Sequence, residues 1–445
     1  MKRCRYTSPA PRASGARAEL RGGELRAAAV RACTLANGLQ ILVWPDRDIP
    51  SVALYNWVRV GSRNEAPGIT GLAHFFEHMM FNGTRRRTPG EFDRLMEAHG
   101  GSNNAFTSDD VTVYQDWFPS SALELVLELE ADRMANLAFA PAVIESERSV
   151  VRSERRLRVD DNNAGYLSEQ VQSTAFIAHP YRFPTIGWPA DIRSWRRRDL
   201  QRFFRTYYAP NNQTLVVAGD VAAQQVFALA RKLFGPIPRQ PPPPRVRVRE
   251  PVQRAERRLA VRRKGQTPLL QYAYKTPPAH DPRAPALHLL LAALVEGNAS
   301  RLHRLLVEQC KLAVDVSGGW HEGFDPSLLW LYLVLPEGAE PAHVEAALDA
   351  ELARVVTAGV SELELRRAKN LMATAFWRQL ATIDGKAHLL GEYEVLRGSW
   401  RRLFAAPAQF EAVTCADVQR VARAILDPTR RTVGLLEPLG TERGR

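Results

Sequence analysis

Residues 68–84 read GITGLAHFFEHMMFNGT, and the reading of this stretch governs that of the whole chain. Its apolar density predicts one helix, on which His74 and His78 lie roughly 40° apart on successive turns and Glu77 about 60° to the other side of His74. All three polar side chains therefore share one space. Leu72, Phe75, Phe76, Met79, Met80 and Phe81 leave little polar helix face. The segment is expected to be buried, where an unpartnered imidazole or carboxylate is costly. A pair of satisfied core histidines is the plain structural account, and a bound metal ion is the chemical one.

The spacing HxxEH favours the metal. It matches the inverzincin pattern, in which two histidines bind Zn²⁺ and the glutamate activates a water for peptide hydrolysis. Here it also follows an alternating strand and a Gly-containing turn. A catalytic zinc has three protein ligands and leaves a fourth position open, so one further ligand must come from elsewhere in the first half. Glu124, Glu128, Glu130, Asp132, Glu145, Glu147 and Glu154 all fall on two expected long helices, SSALELVLELEADRMANLAF and PAVIESERSVVRSERRLRV. Physics alone does not choose among them. Glu147 and Glu154, seven residues apart, share a helix face at an axial separation of about 10 Å, so one can ligate while the other sits further off. Each could equally be a solvated carboxylate paired with Arg148, Arg152 or Arg155.

The 445 residues exceed what one core usually organises, and 45% apolar content suffices for two domains. Runs such as LHLLLAALVEG and LLWLYLVLP are too short to span a bilayer, so no membrane span is expected. The net charge of +12 comes mainly from dispersed arginines, including Arg85–Arg87, Arg196–Arg198, Arg257, Arg258, Arg262 and Arg263. No recognition helix or aromatic-interleaved stripe accompanies them, which argues for a solvated surface over a nucleic-acid partner. Residues 1–30 lack an apolar core and are expected to be a disordered leader. With no signal and no span, the compartment is not encoded; the cytoplasm is the default, and a misplaced start would point to periplasm or organelle. Cys4, Cys33, Cys310 and Cys415 form no CxxC and are expected to be free thiols.

GPIPRQPPPPRVRVREP, from Gly235 to Pro251, cannot continue a helix or a central strand. It divides the chain into a zinc-binding domain at 31–237, a linker at 238–251 and a second domain at 252–445. The order of elements before the linker returns in weaker form after it, as in a duplicated unit. The expected fold is α+β, an α/β sandwich of two homologous domains, each a mostly antiparallel sheet covered by helices. PALHLLLAA stands where the first copy carries the motif, so the second copy has no metal site, and its His288 is expected to be structural.

NGLQILVWPD, VGSRNEAPGITGLAHFFEHMMFNGT, GGSNNAFTSDDVTVY, ESERSVVRSERR, HPYRFPTIGW and YYAPNNQTLVVAGDV resemble the pitrilysin and insulinase family of zinc metallopeptidases, in its small processing-peptidase branch. The resemblance runs from about Thr34 onward. It implies one Zn²⁺ per chain held by His74, His78 and Glu154, with Glu77 as general base and Glu147 orienting the site. It further implies that Asn103, Asn104, Ala105 and Phe106 lie on an edge strand to which an extended substrate adds as another strand. The His179-Pro180-Tyr181 loop also matches, and His179 is taken as structural.

One departure qualifies the resemblance. Active members carry an arginine and, seven residues later, a tyrosine that help stabilise the oxyanion; in RLLVEQCKLAVDV those positions hold Val307 and Val314. The expectation is a zinc endopeptidase subunit acting on peptides or unfolded segments in an enclosed chamber, completed by a homologous partner that supplies the missing pair, with a homodimer as the simpler assembly. A catalytically silent scaffold subunit is the alternative, and a basic nucleic-acid-binding protein a remote one.

Overall fold

The computed structural model describes residues 27–439 together with the short strand Arg5–Tyr6. Among the described residues, the strands in chain order are β1 (Arg5–Tyr6), β2 (Arg31–Thr34), β3 (Gln40–Pro45), β4 (Ser51–Val58), β5 (Ser102–Thr107), β6 (Thr112–Pro119), β7 (Gln213–Gly219), β8 (Arg257–Lys264), β9 (Leu269–Lys275), β10 (Asp315–Trp320), β11 (Leu328–Val334) and β12 (Arg431–Leu439). They form a seven-stranded sheet in the order β1-β2-β3-β7-β4-β6-β5 and a five-stranded sheet in the order β10-β11-β9-β12-β8. Every pairing is antiparallel except β3 with β7 and β8 with β12. The α+β expectation of two mostly antiparallel, helix-covered sheets holds.

Two compact units contain these sheets. One runs up to Arg152 and adds Thr185–Arg247 and Trp377–Ala405; the other comprises Ser153–Pro184, Val248–Phe376 and the segment from Ala406 onward. Every residue of β7 and of β9 is buried, as a strand is when both faces of its sheet are covered. In the first unit the second cover is the helix Ile383–Val395, delivered from the far end of the sequence onto β4 and β7. Gly391 makes that contact: a Cβ there would fall 2.0 Å from Nε1 of the buried Trp57. In the second unit the helix Asn163–Ala175 covers β12, β9 and β8 in the same way, with Gly434 against Val171. Each sheet thus takes one helix from the other half of the sequence.

The motif segment forms a shorter helix than expected, Leu72–Met79 rather than most of residues 68–84. Gly71 at φ +86° and Gly83 at φ +91° turn the backbone at either side, a conformation that glycine adopts without the Cβ penalty. Residues 238–254 carry neither helix nor strand. Of residues 1–30, Arg5–Tyr6 pairs with β2 and Ala27–Ala29 forms a 3₁₀ turn; the remainder of the leader reading, apart from Val30, lies outside the described residues. Cys33 is disulfide-bonded, correcting the expectation of a free thiol there, while Cys310 and Cys415 are free; Cys4 lies outside the described residues.

In the second unit the helix Ala284–Val295 is almost wholly buried. Its His288 lies 3.0 Å from Glu322 and packs against the Trp320 ring. Among the described residues no helix is long and apolar enough to cross a membrane.

Candidate metal centre

The motif helix is positioned before any ligand is considered. Its N-terminus is capped by Glu65, a buried carboxylate that accepts the backbone N–H groups of Gly71 at 2.6 Å and Ala73 at 2.7 Å. These are donors a helix leaves unsatisfied at its first turn. Burial drives the Glu65 carboxyl well above the usual carboxylate range, with the two backbone donors opposing that shift. Further along, the buried Tyr114 hydroxyl donates to the Phe76 carbonyl at 3.1 Å. Burial raises the Tyr114 phenol well above its ordinary value, so it remains a donor across the ordinary pH range. Phe76 stacks on Phe203 and Phe204 behind the helix. The helix therefore cannot rotate without leaving its capping, hydrogen-bonding and stacking partners together.

That anchoring fixes the polar face. His74 is buried and His78 half-buried, their ring centroids 4.8 Å apart and nearly perpendicular. The helix Pro141–Arg155 is unbroken and brings Glu154, in its last turn, to the same place. One donor atom from each of His74, His78 and Glu154 lies within 4.8 Å of the others, the one such group of three among the described residues. Two imidazoles and one carboxylate are the donor types that suit a zinc ion with one position left open, and this set fits that ion.

Around the three lie the supporting groups. Glu147, two turns before Glu154, places Oε2 3.4 Å from Nδ1 of His78. An acceptor at one ring nitrogen sets the orientation and tautomer of a histidine that uses the other. Glu154 is paired with Arg158 at 3.1 Å. Glu77 is half-buried, and its Oε2 accepts a hydrogen bond from the Thr107 hydroxyl at 2.6 Å.

Thr107 ends β5, the edge strand of the first sheet, paired with β6 through Asn103–Asp116, Asn104–Gln115, Ala105–Tyr114 and Phe106–Val113. Asn103 donates to Asp93 at 2.9 Å, Asn104 is exposed, Ala105 packs on the motif-helix cluster and Phe106 faces away from it toward Trp57. Val307 sits within the π-helical turn His303–Gln309, packed on the second unit's core, and Val314 is exposed just before β10. Neither carries a polar group. His179 accepts from the Tyr181 amide through Nδ1 and lies 3.2 Å from Asp325 through Nε2, a structural arrangement.

Sequence reasoning did not find Glu65 or the bond made by Thr107. The signal for Glu65 was an acidic residue seven positions before a helix start, a spacing with no general meaning until the intervening turn is known.

Residues 44–187 match the family model described as insulinase, peptidase family M16, and residues 194–372 match the one described as the peptidase M16 inactive domain. The chain belongs to peptidase family M16. Within M16 it is 32% identical to the zinc protease PqqE of Helicobacter pylori over 91% of this chain and 92% of that protein. A probable mitochondrial-processing peptidase subunit beta of Arabidopsis thaliana is 31% identical over 210 residues, 47% of this chain and 39% of that protein. The crystal structure of a protease from Helicobacter pylori superposes with a TM-score of 0.89 at 30% identity, covering 92% of this M16 chain and 99% of that one.

Proposed function

We propose that this M16 chain is a zinc-dependent endopeptidase acting on extended peptides or unfolded segments, and that it is the zinc-bearing subunit of a pair enclosing a peptide chamber. The observation that carries the reading is the convergence of His74, His78 and Glu154 within 4.8 Å, beside a Glu77 tied to the edge strand through Thr107. A bare scaffold has no use for that combination.

His74, His78 and Glu154 would hold the zinc. Bound there, the ion supplies Lewis acidity, lowering the pKa of water toward neutrality and polarising the scissile carbonyl. The chain's own residues do the remainder. An extended peptide pairs with the open edge of β5 through main-chain hydrogen bonds, which fixes the scissile amide relative to Glu77. Glu77 Oε1 or Oε2 takes a proton from the attacking water and delivers it to the leaving amine nitrogen. Thr107 holds one carboxylate oxygen still, and Glu147 keeps the His78 ring oriented.

Val307 and Val314 support the paired-subunit part of the reading, because side chains with no polar group cannot stabilise an oxyanion. The Arabidopsis relative is itself named a subunit. The same two valines favour the alternative of a silent scaffold subunit. The separating experiment measures zinc content and cleavage of a quenched-fluorescent peptide library by this chain alone and with a homologous chain, with Glu77→Gln as control. Zinc near one per chain with cleavage lost in the variant supports the peptidase, and cleavage only in the mixture supports the pair. Zinc with no cleavage in any mixture favours the scaffold.

A further inference from the structure

Strand β5 has two faces, and only one belongs to the metal centre. Asn103, Ala105 and Thr107 point toward the motif helix and its neighbours, so Ser102, Asn104 and Phe106 point to the opposite face of the sheet. There the helix Ile383–Val395 lies across the strands. Its His388 ring sits 6.3 Å from Phe106, 5.7 Å from Trp57 and 6.1 Å from Tyr55. Trp57 and Tyr55 are buried and form the floor. Phe106 is half-buried, and the His388 side chain is 29% exposed, so both present ring surface at the open edge.

The helix is locked in this position. Asp384 accepts from the Tyr55 hydroxyl and from Trp117 Nε1 at 2.6 Å, and Gly391 permits the close approach to Trp57. Phe106 leaves apolar ring surface in water beside the strand edge, next to the His388 ring, whose Nε2 lies 3.7 Å from Glu392 Oε2. A peptide strand added to β5 would cover that ring surface. Side chains on one face of adjacent strands stand about 4.5–5.5 Å apart at Cβ, within reach of both rings.

We propose that Phe106 and His388 form a specificity subsite for an aromatic side chain of the substrate, at the positions whose side chains point away from the zinc. His388 is the specificity-determining residue, supplied to the first sheet from the second half of the sequence. The inference rests on the reading that an extended peptide pairs with β5. Ring contacts of this kind are worth roughly two- to tenfold in selectivity.

The test uses the full zinc-loaded chain, with its homologous partner where activity requires one. Peptides of one sequence carry Phe or Ala at each position in turn. Wild type should favour Phe over Ala several-fold in kcat/KM at positions of alternate parity to the residue facing the metal. His388→Ala should reduce that preference to about twofold or less. His388→Phe should keep the preference, which separates stacking from mere packing of the helix. Equal selectivity in wild type and His388→Ala overturns the proposal, as does an equal loss for every peptide or a preference for arginine over Phe. Binding of labelled Phe and Ala peptides to Glu77→Gln separates the two readings. A His388-dependent preference in binding with no cleavage by wild type keeps the subsite and sinks the peptidase; no preference in either assay sinks the subsite alone when cleavage is seen.

Discussion

The Thr107 hydroxyl donates to Glu77 Oε2 at 2.6 Å, joining the end of the edge strand to the glutamate of the motif helix. A carboxylate that must accept and release a proton has more use for a fixed direction than for a free rotamer, and this bond fixes it. On the proposed reading, substrate pairing along β5 and the position of the general base would both be set by one strand. Thr107→Val should lower kcat by about tenfold with zinc content unchanged, and Thr107→Ser should restore most of it. Steady-state kinetics beside metal analysis checks this; a variant that loses zinc would show that Thr107 serves the metal site instead.

Glu154 and Glu147 share a helix, and the proposal gives them different roles. If His74, His78 and Glu154 hold the zinc, Glu154→Gln removes one of three ligands and should abolish stoichiometric zinc. Glu147→Gln leaves the three in place and should weaken zinc by about 10–100-fold through loss of the contact to His78 Nδ1. A chelator competition titration on both variants decides the order, and equal losses would contradict it.

Glu65 supports the motif helix from below. Glu65→Ala would leave the Gly71 and Ala73 amides buried without an acceptor and should cost about 2–4 kcal/mol of unfolding free energy. Denaturant melts of the metal-free chain measure it without interference from zinc binding. A change within error would mean that water replaces the carboxylate.

Lys275 gives a pH dependence of defined sign. It ends β9, buried, with its ammonium 3.2 Å above the Phe176 ring, and desolvation lowers its pKa to about 7 despite the opposing charge of Glu250. The unfolded chain holds this proton up to about pH 10, so between about 7 and 10 the unfolded state binds more protons and stability rises with pH. Below about 7 the full penalty of burying the charge applies. Lys275→Met should accordingly be more stable than wild type at about pH 6, with the advantage shrinking as pH rises toward 9. Urea melts across that range test the trend, and a pH-independent difference would refute it.

The short-range part of this protein was legible in its sequence. Helical periodicity alone puts His74, Glu77 and His78 on one face, since their spacing needs nothing but 3.6 residues per turn. The buried strands and the broken second motif, PALHLLLAA, read directly from hydrophobic pattern and gave the α+β architecture. Glu154 stood between these cases: seven carboxylates on two helices were equivalent to any local rule, and only family resemblance distinguished it. Tertiary structure alone decided the rest. Glu65 reaches the motif helix across a turn whose shape depends on Gly71, and Thr107 meets Glu77 only because β5 pairs with β6 in one register. The exchange of helices between sheets, which brings His388 beside Phe106, leaves no trace in local pattern. The helix Ile383–Val395 carries no pronounced apolar stripe to show which sheet it will cover, and the choice is made by side chains far away in the sequence, such as Trp57 against Gly391. Local spacing fixes which groups a helix presents, whereas what they meet depends on contacts whose partners the chain brings together only when it folds.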